Sequence, residues 1–442
     1  QKNTDHLLAE SVAPHNRYFG VMLPYTPLHY LLLEKDFPAL VMTSANLTDE
    51  PIAYEDEEAC HRLAEIADVF LSHNRRIFTR TDDSIARVMA DRPLLLRRSR
   101  GYVPRAVPLS KEMKPVLAVG AELKNTICLT RGDRAFLSQH IGDLKNLQVY
   151  ESFRQAIGQL KSILEVEPTV VAHDLHPDYY SSHYALEESG MQPVAVQHHH
   201  AHLASCLAEN GVDAPAIGMI FDGTGYGTDG HIWGGEFLVG DVGHNERVGH
   251  FRYQPMPGGD LAIKQPWRMA MSYMQSIYGE VPEEHVAFKG VAANERCLVS
   301  QAIKKSINSP LTSSCGRLFD AVAALVGLRQ VVTFEGQAAM QLEMIADPQQ
   351  SISYPCSLYE EDGLIIYDPT AMIMAIQKDF DAGSQIPEIA GRFHYSMAMM
   401  VTEVCLRLRK STSLNRVVLS GGVFQNCLLT ELCVAHLENA GF

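Results

Sequence analysis

The segment VQHHHAH (196–202), followed about twenty residues later by IFDGTGYG (220–227), sets two histidines four positions apart ahead of a carboxylate. Residues four apart share one helix face, so His198 and His202 can aim imidazole nitrogens at one point. Asp222 closes the apolar run AIGMIF and can bring an oxygen to the same point. Two nitrogens and an oxygen suit a divalent metal with coordination positions left open for substrate, a catalytic rather than a structural arrangement. Composition alone rarely puts four histidines in five positions, and packing gives no reason for it. His199 and His200 face elsewhere on such a helix and read as supporting or solvent-facing residues. An Asp before Gly-Thr-Gly also suits plain turn chemistry, so Asp222 as third ligand stays open on spacing alone.

Other segments carry weaker signals. RVVLSGGVFQN (416–426) reads as a buried strand, a Gly-Gly turn and a helix start, where backbone can approach an anionic ligand and Asn426 offers an amide. SSCGRLFDAVAALVGL (313–328) reads as an amphipathic helix with Leu318, Val322 and Leu325 on one face. Asp320 falls off that stripe, where it accepts from ribose hydroxyls or is simply a solvated carboxylate. Cys315 has no evident partner base and reads as a packed thiol. MTSANLTDEP (42–51) offers hydroxyls and an amide in a tight turn. With DDS (82–84) and the arginine run RPLLLRRSRGYVPR, it suits a polyanion, although surface arginines are usually just solvated.

Elements must position these groups, and 442 residues suffice for two or three domains. Runs such as RYFGVML, ALVMTS and DVFLSH predict strands in a first unit, with EDEEACHRLAEIA helical. Prolines 104, 108 and 115 predict an extended connector and a boundary near residue 108. Beyond it, 115–143 and 214–243 each read as strand, turn, strand, turn and strand, and the first is followed by a helical stretch, VYESFRQAIGQLKSIL. Two such halves predict a duplicated α/β domain of the actin and sugar-kinase type with a nucleotide between them. A formal charge of −15 argues against broad nucleic-acid binding. No apolar run approaches membrane-spanning length. Nine scattered cysteines without a C-x-x-C pair read as reduced cytosolic thiols.

Together these stretches resemble the hydrogenase maturation carbamoyltransferases, the HypF family. The resemblance rests on VMLPYTPLHYLLL (21–33), TSAN (43–46), HNRRIFTRTDDSIAR (73–87), RRSRGYVP (97–104), GAELKNT (120–126), SQHIGDL (138–144), HDLHPDY (173–179) and HHHAH (198–202). It continues through DGTGYG (222–227), PGGDLAIKQPWR (257–268), SSCGRLFDAVAALVGL, FEGQAA (334–339) and SGGVFQN (420–426). It implies a partial YrdC-like α/β domain over 1–108 and, over 109–442, a duplicated actin/sugar-kinase-like α/β domain akin to the tRNA threonylcarbamoyltransferase TsaD.

The resemblance implies a cytoplasmic enzyme that uses ATP to turn carbamate, derived from carbamoyl phosphate, into carbamoyl adenylate. It then implies transfer to the C-terminal cysteine thiol of the partner HypE, on the route to the cyanide ligand of [NiFe] hydrogenase. By position, His198, His202 and Asp222 match the family's ligands to a metal such as zinc, iron or magnesium. Asp320, Gly336 and Asn426 match nucleotide contacts of the TsaD-like cleft. Ser44, Asn46, Arg98 and Arg100 match the YrdC-like ATP pocket. The family's acylphosphatase and zinc-finger regions do not appear, nor does its closing Asp-Gly-Gly segment, whose Asp is a fourth metal ligand. The expectation is a piece of a larger protein. Two other readings are an O-carbamoyltransferase of small-molecule biosynthesis and a nucleotide-binding scaffold without catalysis.

Overall fold

The computed structural model describes residues 2–3, 8–33, 37–47, 50–282 and 284–442. The chain divides into two compact units, 1–82 and 83–442. In the first, the regular elements among the described residues are a 3-10 turn, Glu10–Val12, and two helices, Pro27–Leu33 and Asp56–Arg62. The second helix starts on Asp56, Glu57 and Glu58 and ends on His61 and Arg62, charges that match the helix dipole. The expected strands RYFGVML, ALVMTS and DVFLSH do not form among the described residues. Apolar composition alone does not make a strand; it also needs a partner's ladder of hydrogen bonds. Val21, Leu23, Val69 and Leu71 are instead exposed.

The second unit opens with an antiparallel hairpin, Ile85–Met89 and Arg92–Arg97, and then builds two larger sheets. The first has the strand order Val107–Met113, Cys128–Leu137, Val116–Ala118, Val170–Asp174, Gln192–Val196. Its last three strands run parallel. The proline-punctuated connector is therefore partly an edge strand, a position that tolerates Pro108 because one side of the strand needs no donor. The expected strand–turn–strand after residue 128 is instead one strand, Cys128–Leu137, running through Gly132. The helix Leu147–Leu164 lies on this sheet through Val149, Phe153, Ala156, Ile157, Leu160 and Leu164, a 3.6-period stripe. Asn146 caps it by accepting from the amides of Gln148 and Val149.

The second sheet is centred on Ala216–Tyr226, antiparallel to Ile232–Gly240 and parallel to Val417–Ser420. Asn245–Phe251 continues it on the far side of Ile232–Gly240. This repeats the strand–turn–strand pattern read from 214–243. A ring cluster of Phe221, Phe237, Phe251 and Phe424 fills the space beside it, with centroids 5.1–6.4 Å apart. The 27-residue helix Ile386–Thr412 and the helix Cys315–Leu325 complete this core. Every residue of Cys315–Leu325 is buried, so the expected amphipathic helix has no solvated face. The reading of Asp320 as a solvated carboxylate falls with it. Among the described residues, no helix is long and apolar enough to cross a membrane.

Candidate metal centre

Three strand ends converge on the histidine cluster. Gln192–Val196 leads through Gln197 into the helix His198–Glu209, and Val170–Asp174 ends beside it on Asp174. Val417–Ser420 ends on the Gly421-Gly422 turn. Ligand sites in open α/β sheets gather at such carboxyl ends. Gln197 starts the helix: its Oε1 accepts from His200 N at 2.9 Å, and its Nε2 donates to the Tyr226 carbonyl at 3.1 Å. Asp222 sits where Ala216–Tyr226 slips register between Phe221 and Gly225, an irregularity that turns its side chain toward the histidines.

His198 Nε2 and His202 Nε2 lie 3.2 and 3.4 Å from Asp222 Oδ2. All three donor atoms fall within 4.8 Å of one another. Ligands sharing one tetrahedral ion with bonds of about 2.1 Å stand roughly 3.4 Å apart, so the donor set fits a divalent cation. The other carboxylate oxygen, Oδ1, accepts from Gly422 N at 3.1 Å, which leaves Oδ2 for the ion. His198 Nδ1 faces Asp174 Oδ2 at 2.7 Å. Asp174 thus accepts a hydrogen bond from Nδ1–H and leaves the Nε2 lone pair directed at the cluster. Its own Oδ1 accepts from His176 N at 2.9 Å. His202 keeps 30% of its side chain exposed, so the cluster is open on one side.

Burial disfavours a charged His198, yet the Asp174 and Asp222 carboxylates outweigh it and push the imidazole up to about 10. Burial would raise Asp222, but its bonds to His198 and His202 hold it well below the carboxylate range.

His199 and His200 do face elsewhere. His199 is fully buried, with Nδ1 3.1 Å from Gln197 Nε2, and burial keeps it neutral. His200 Nε2 reaches the Asp241 carbonyl at 3.0 Å. Gly225 is required by close approach: a Cβ there would stand 2.5 Å from His199 Cε1 and 2.9 Å from His198 Cδ2. Gly421 has φ +99°, and a Cβ on it would meet the Phe221 carbonyl at 2.2 Å.

The helix Cys315–Leu325 is pinned to this site by Ser314. Its hydroxyl donates to the Gly223 carbonyl at 2.6 Å and caps the helix by accepting from Arg317 N at 3.0 Å. Asp320, one turn on, lies 2.9 Å from Arg317 Nη2, with both side chains buried. That contact is not aligned as a hydrogen bond, and among the described residues neither Asp320 Oδ2 nor Arg317 Nε has a hydrogen-bond partner. Cys315 is fully buried and its thiol is raised far out of reactive range by burial.

Asn426 caps the helix Cys427–Asn439 through Oδ1, which accepts from Leu429 N at 2.9 Å. Gly336 takes the left-handed conformation at the start of the helix Gln337–Ile345. Ser44 and Asn46 lie in the first unit, in a turn where Asn46 N donates to the Ser44 carbonyl. Residues 48–49 of that motif are outside the described set. Arg98 and Arg100 fall in the second unit: Arg98 pairs with Glu209 at 3.1 Å and Arg100 with Asp83 at 3.4 Å. The structure thus brings His198, His202 and Asp222 together, while the four residues expected at an ATP pocket divide between the two units.

The sequence reading missed the groups that hold the cluster. Asp174, Gln197 and Gly422 had no assigned role, although HDLHPDY and SGG were both singled out. It also missed Glu236, fully buried in Ile232–Gly240. Its Oε1 accepts from Gly234 N, Gly235 N and Ser313 Oγ, and its Oε2 holds Arg247 Nε at 2.6 Å. Arg247 lies 3.8 Å over the Trp233 ring, whose indole donates to Asp229. A glutamate inside the apolar run IWGGEFLVG was the available signal, because a buried charge requires a partner.

Replacing Asp174 by Asn is expected to keep the fold but weaken metal binding by about 10–100-fold, the usual cost of losing the carboxylate behind a ligating histidine. Competition against a chelator would check this. Unchanged affinity would mean that Asp174 does not orient His198.

Comparison with known proteins matches the whole length. Residues 218–442 match the model for the second subdomain of the carbamoyltransferase Kae1-like domain, 111–209 the HypF Kae1-like domain, and 1–99 the Sua5/YciO/YrdC model described as telomere recombination. Carbamoyltransferase HypF2 of Cupriavidus necator is 40% identical over 97% of this chain and 58% of its own length. Carbamoyltransferase HypF of Synechocystis sp. is 38% identical over 100% of this chain and 59% of its own length. The chain thus spans under two thirds of these relatives. A full-length HypF crystallised in a phosphate- and nucleotide-bound form superposes with a TM-score of 0.94 and 42% identity, over 99% of this chain and 69% of that one. T. kodakarensis HypF superposes with a TM-score of 0.90 and 34% identity, over 99% of this chain and 58% of that one. With its histidine–aspartate cluster set at the strand ends of a Kae1-like fold, this chain belongs to the HypF carbamoyltransferase family.

Proposed function

We propose that this chain performs the two chemical steps of ATP-dependent carbamoyl transfer in [NiFe] hydrogenase maturation. Residues 1–108 serve as the YrdC-like part and 109–442 as the TsaD-like part. In the first step, carbamate derived from carbamoyl phosphate attacks the α-phosphorus of ATP, releasing pyrophosphate and forming carbamoyl adenylate. In the second, the C-terminal thiol of a HypE partner attacks the carbamoyl carbon, the bond to the phosphate oxygen breaks, and AMP leaves as the thiol proton is lost. The observation that carries this reading is the His198/His202/Asp222 cluster, in which Asp174 backs His198 and Gly422 N–H backs Asp222.

A divalent ion bound there would act as a Lewis acid toward the carbamoyl carbonyl or the adenylate phosphate. Asp174 keeps His198 in the ligating tautomer, and Gly422 N–H keeps one oxygen of Asp222 directed at the histidines. Asp320, Gly336 and Asn426 would hold the nucleotide of the transfer step, and Ser44 and Asn46 of the first unit would contact the ATP of the activation step. A related HypF crystallised with phosphate and nucleotide, which supports ATP as the cosubstrate. The test is ATP–pyrophosphate exchange dependent on carbamoyl phosphate. Nucleotide binding without exchange would favour a scaffold.

Burial lifts the Asp320 carboxyl to about 6, against the opposing pull of the Arg317 guanidinium. The folded carboxyl thus takes up its proton at higher pH than a free one, near 3.9. Between about pH 4 and 6 the folded state binds more protons than the unfolded state, so this group's contribution to stability falls as pH rises through that window. Accepting from a ribose hydroxyl favours the ionised form. ADP affinity is therefore expected to fall as pH drops from 7.5 to 5 in the parent, and to stay nearly flat in Asp320→Asn. Parallel pH profiles would remove Asp320 from the nucleotide site.

A further inference from the structure

His394 lies in the middle of Ile386–Thr412, fully buried, and the carbamoyl-transfer chemistry gives it no task. Its Nδ1 is 2.7 Å from the Ala390 carbonyl, which can only accept, so Nδ1 carries the proton. Nε2 is then a bare acceptor, and the group facing it at 2.9 Å is Asn426 Nδ2. The amide nitrogen donates, and the orientation of Asn426 follows without ambiguity. Its Oδ1 is directed at Leu429 N, 2.9 Å away. The two contacts agree, and each excludes the flipped amide. One N–H of Nδ2 remains for anything else that Asn426 meets.

The neighbourhood is built to hold this arrangement. Cys427 N, the next amide, donates to Glu343 Oε1 at 3.0 Å, and Glu343 is balanced by Arg87 at 3.1 Å. The His394 ring stands edge-on to Phe319 at 5.4 Å, next to Asp320. Burial keeps His394 neutral, down to about 4, despite the bond to Ala390.

We propose that His394 is a positioning residue that fixes Asn426 as a hydrogen-bond donor toward the nucleotide, so that Asn426 engages a ribose or phosphate oxygen and not a ribose hydroxyl proton. The inference rests on the nucleotide reading of Asn426 given above and adds a direction to it. The competing explanation is mutual satisfaction of two buried polar groups with no consequence for ligand. Gln at 394 separates the two, because its amide can donate to Ala390 and accept from Asn426, whereas Leu fills the space and does neither.

The experiment is calorimetric titration of ADP into the whole protein, with metal content and thermal melting measured on the same samples. Asn426→Ala first identifies the binding event that belongs to this cleft, as the one it weakens. His394→Leu is then expected to weaken that same event about tenfold, the scale of one hydrogen bond. It should leave the other nucleotide event and the metal content unchanged, and His394→Gln should return ADP affinity to within about threefold of the parent. If His394→Leu fails to fold, His394→Gln decides alone, since a tenfold loss there overturns the proposal. Parent-like ADP affinity in His394→Leu also overturns it, as do equal losses in Leu and Gln that track melting temperature. If Asn426→Ala weakens no event, the nucleotide reading of this cleft fails first, and the role of His394 with it.

Discussion

His198→Ala is expected to abolish metal binding and sharply slow carbamoyl transfer while carbamoyl phosphate-dependent ATP–pyrophosphate exchange survives. His198 does more than supply one ligand atom, because it links Asp222 to Asp174, with Nε2 3.2 Å from one carboxylate and Nδ1 2.7 Å from the other. Removing the ring leaves two buried carboxylates facing a gap, a costly arrangement without a balancing charge. A Lewis acid contributes several kcal/mol to a transition state, so transfer is expected to fall by about three orders of magnitude. Exchange depends on the other proposed site and should stay within about twofold. Metal analysis and the two rates, measured on one preparation, check this. Loss of exchange together with transfer would contradict a division of labour between two sites.

The second large effect concerns Glu236→Gln. The glutamate is fully buried and balances Arg247, whose side chain is 13% exposed. Gln preserves the shape but leaves the guanidinium with only the more exposed Asp229 carboxylate, 3.1 Å from Nη1, as counter-charge. Breaking a buried pair from one side costs about 3–5 kcal/mol. The loss should reach the metal site, because Arg247 lies over Trp233, and Trp233 packs beside His199 at 6.0 Å. Urea unfolding of the variant is expected to show that loss, together with weaker metal retention. Pairing Glu236→Met with Arg247→Met should recover much of the stability, since apolar residues of similar volume often replace a buried ion pair at little cost. A single variant as stable as the parent would show that the pair carries no such burden.

The donor set was legible because a helix imposes a short, fixed period. His198 and His202 had to share a face, whereas Asp222 stays open on spacing alone and is turned toward them by a register slip inside Ala216–Tyr226. What backs the donors was not legible, because those contacts span long distances in sequence. Asp174 reaches His198 across 24 residues, and Gly422 reaches Asp222 across 200. The doubled sheet pattern was readable from strands separated by glycine turns. Its edges were not: Val107–Met113 looked like a linker because prolines punctuate it, yet an edge strand accepts them. Asp320 misled in the opposite direction. Its place off the apolar stripe implied solvent, but a helix covered on all sides has no outside. In the first unit, apolar runs predict strands that do not form among the described residues, because apolar composition gives no information about whether a partner is present.

The most direct test is the intact mass of a HypE acceptor after incubation with ATP, carbamoyl phosphate and this protein, comparing the parent with Asp222→Asn. The expected result is one carbamoyl group on the C-terminal cysteine with the parent, and none with Asp222→Asn, which loses the ion. An acceptor thiol still carbamoylated at the parent's rate by a metal-free Asp222→Asn protein would contradict the role of the cluster, and a carbamoyl group found only on a sugar hydroxyl would contradict the proposed acceptor.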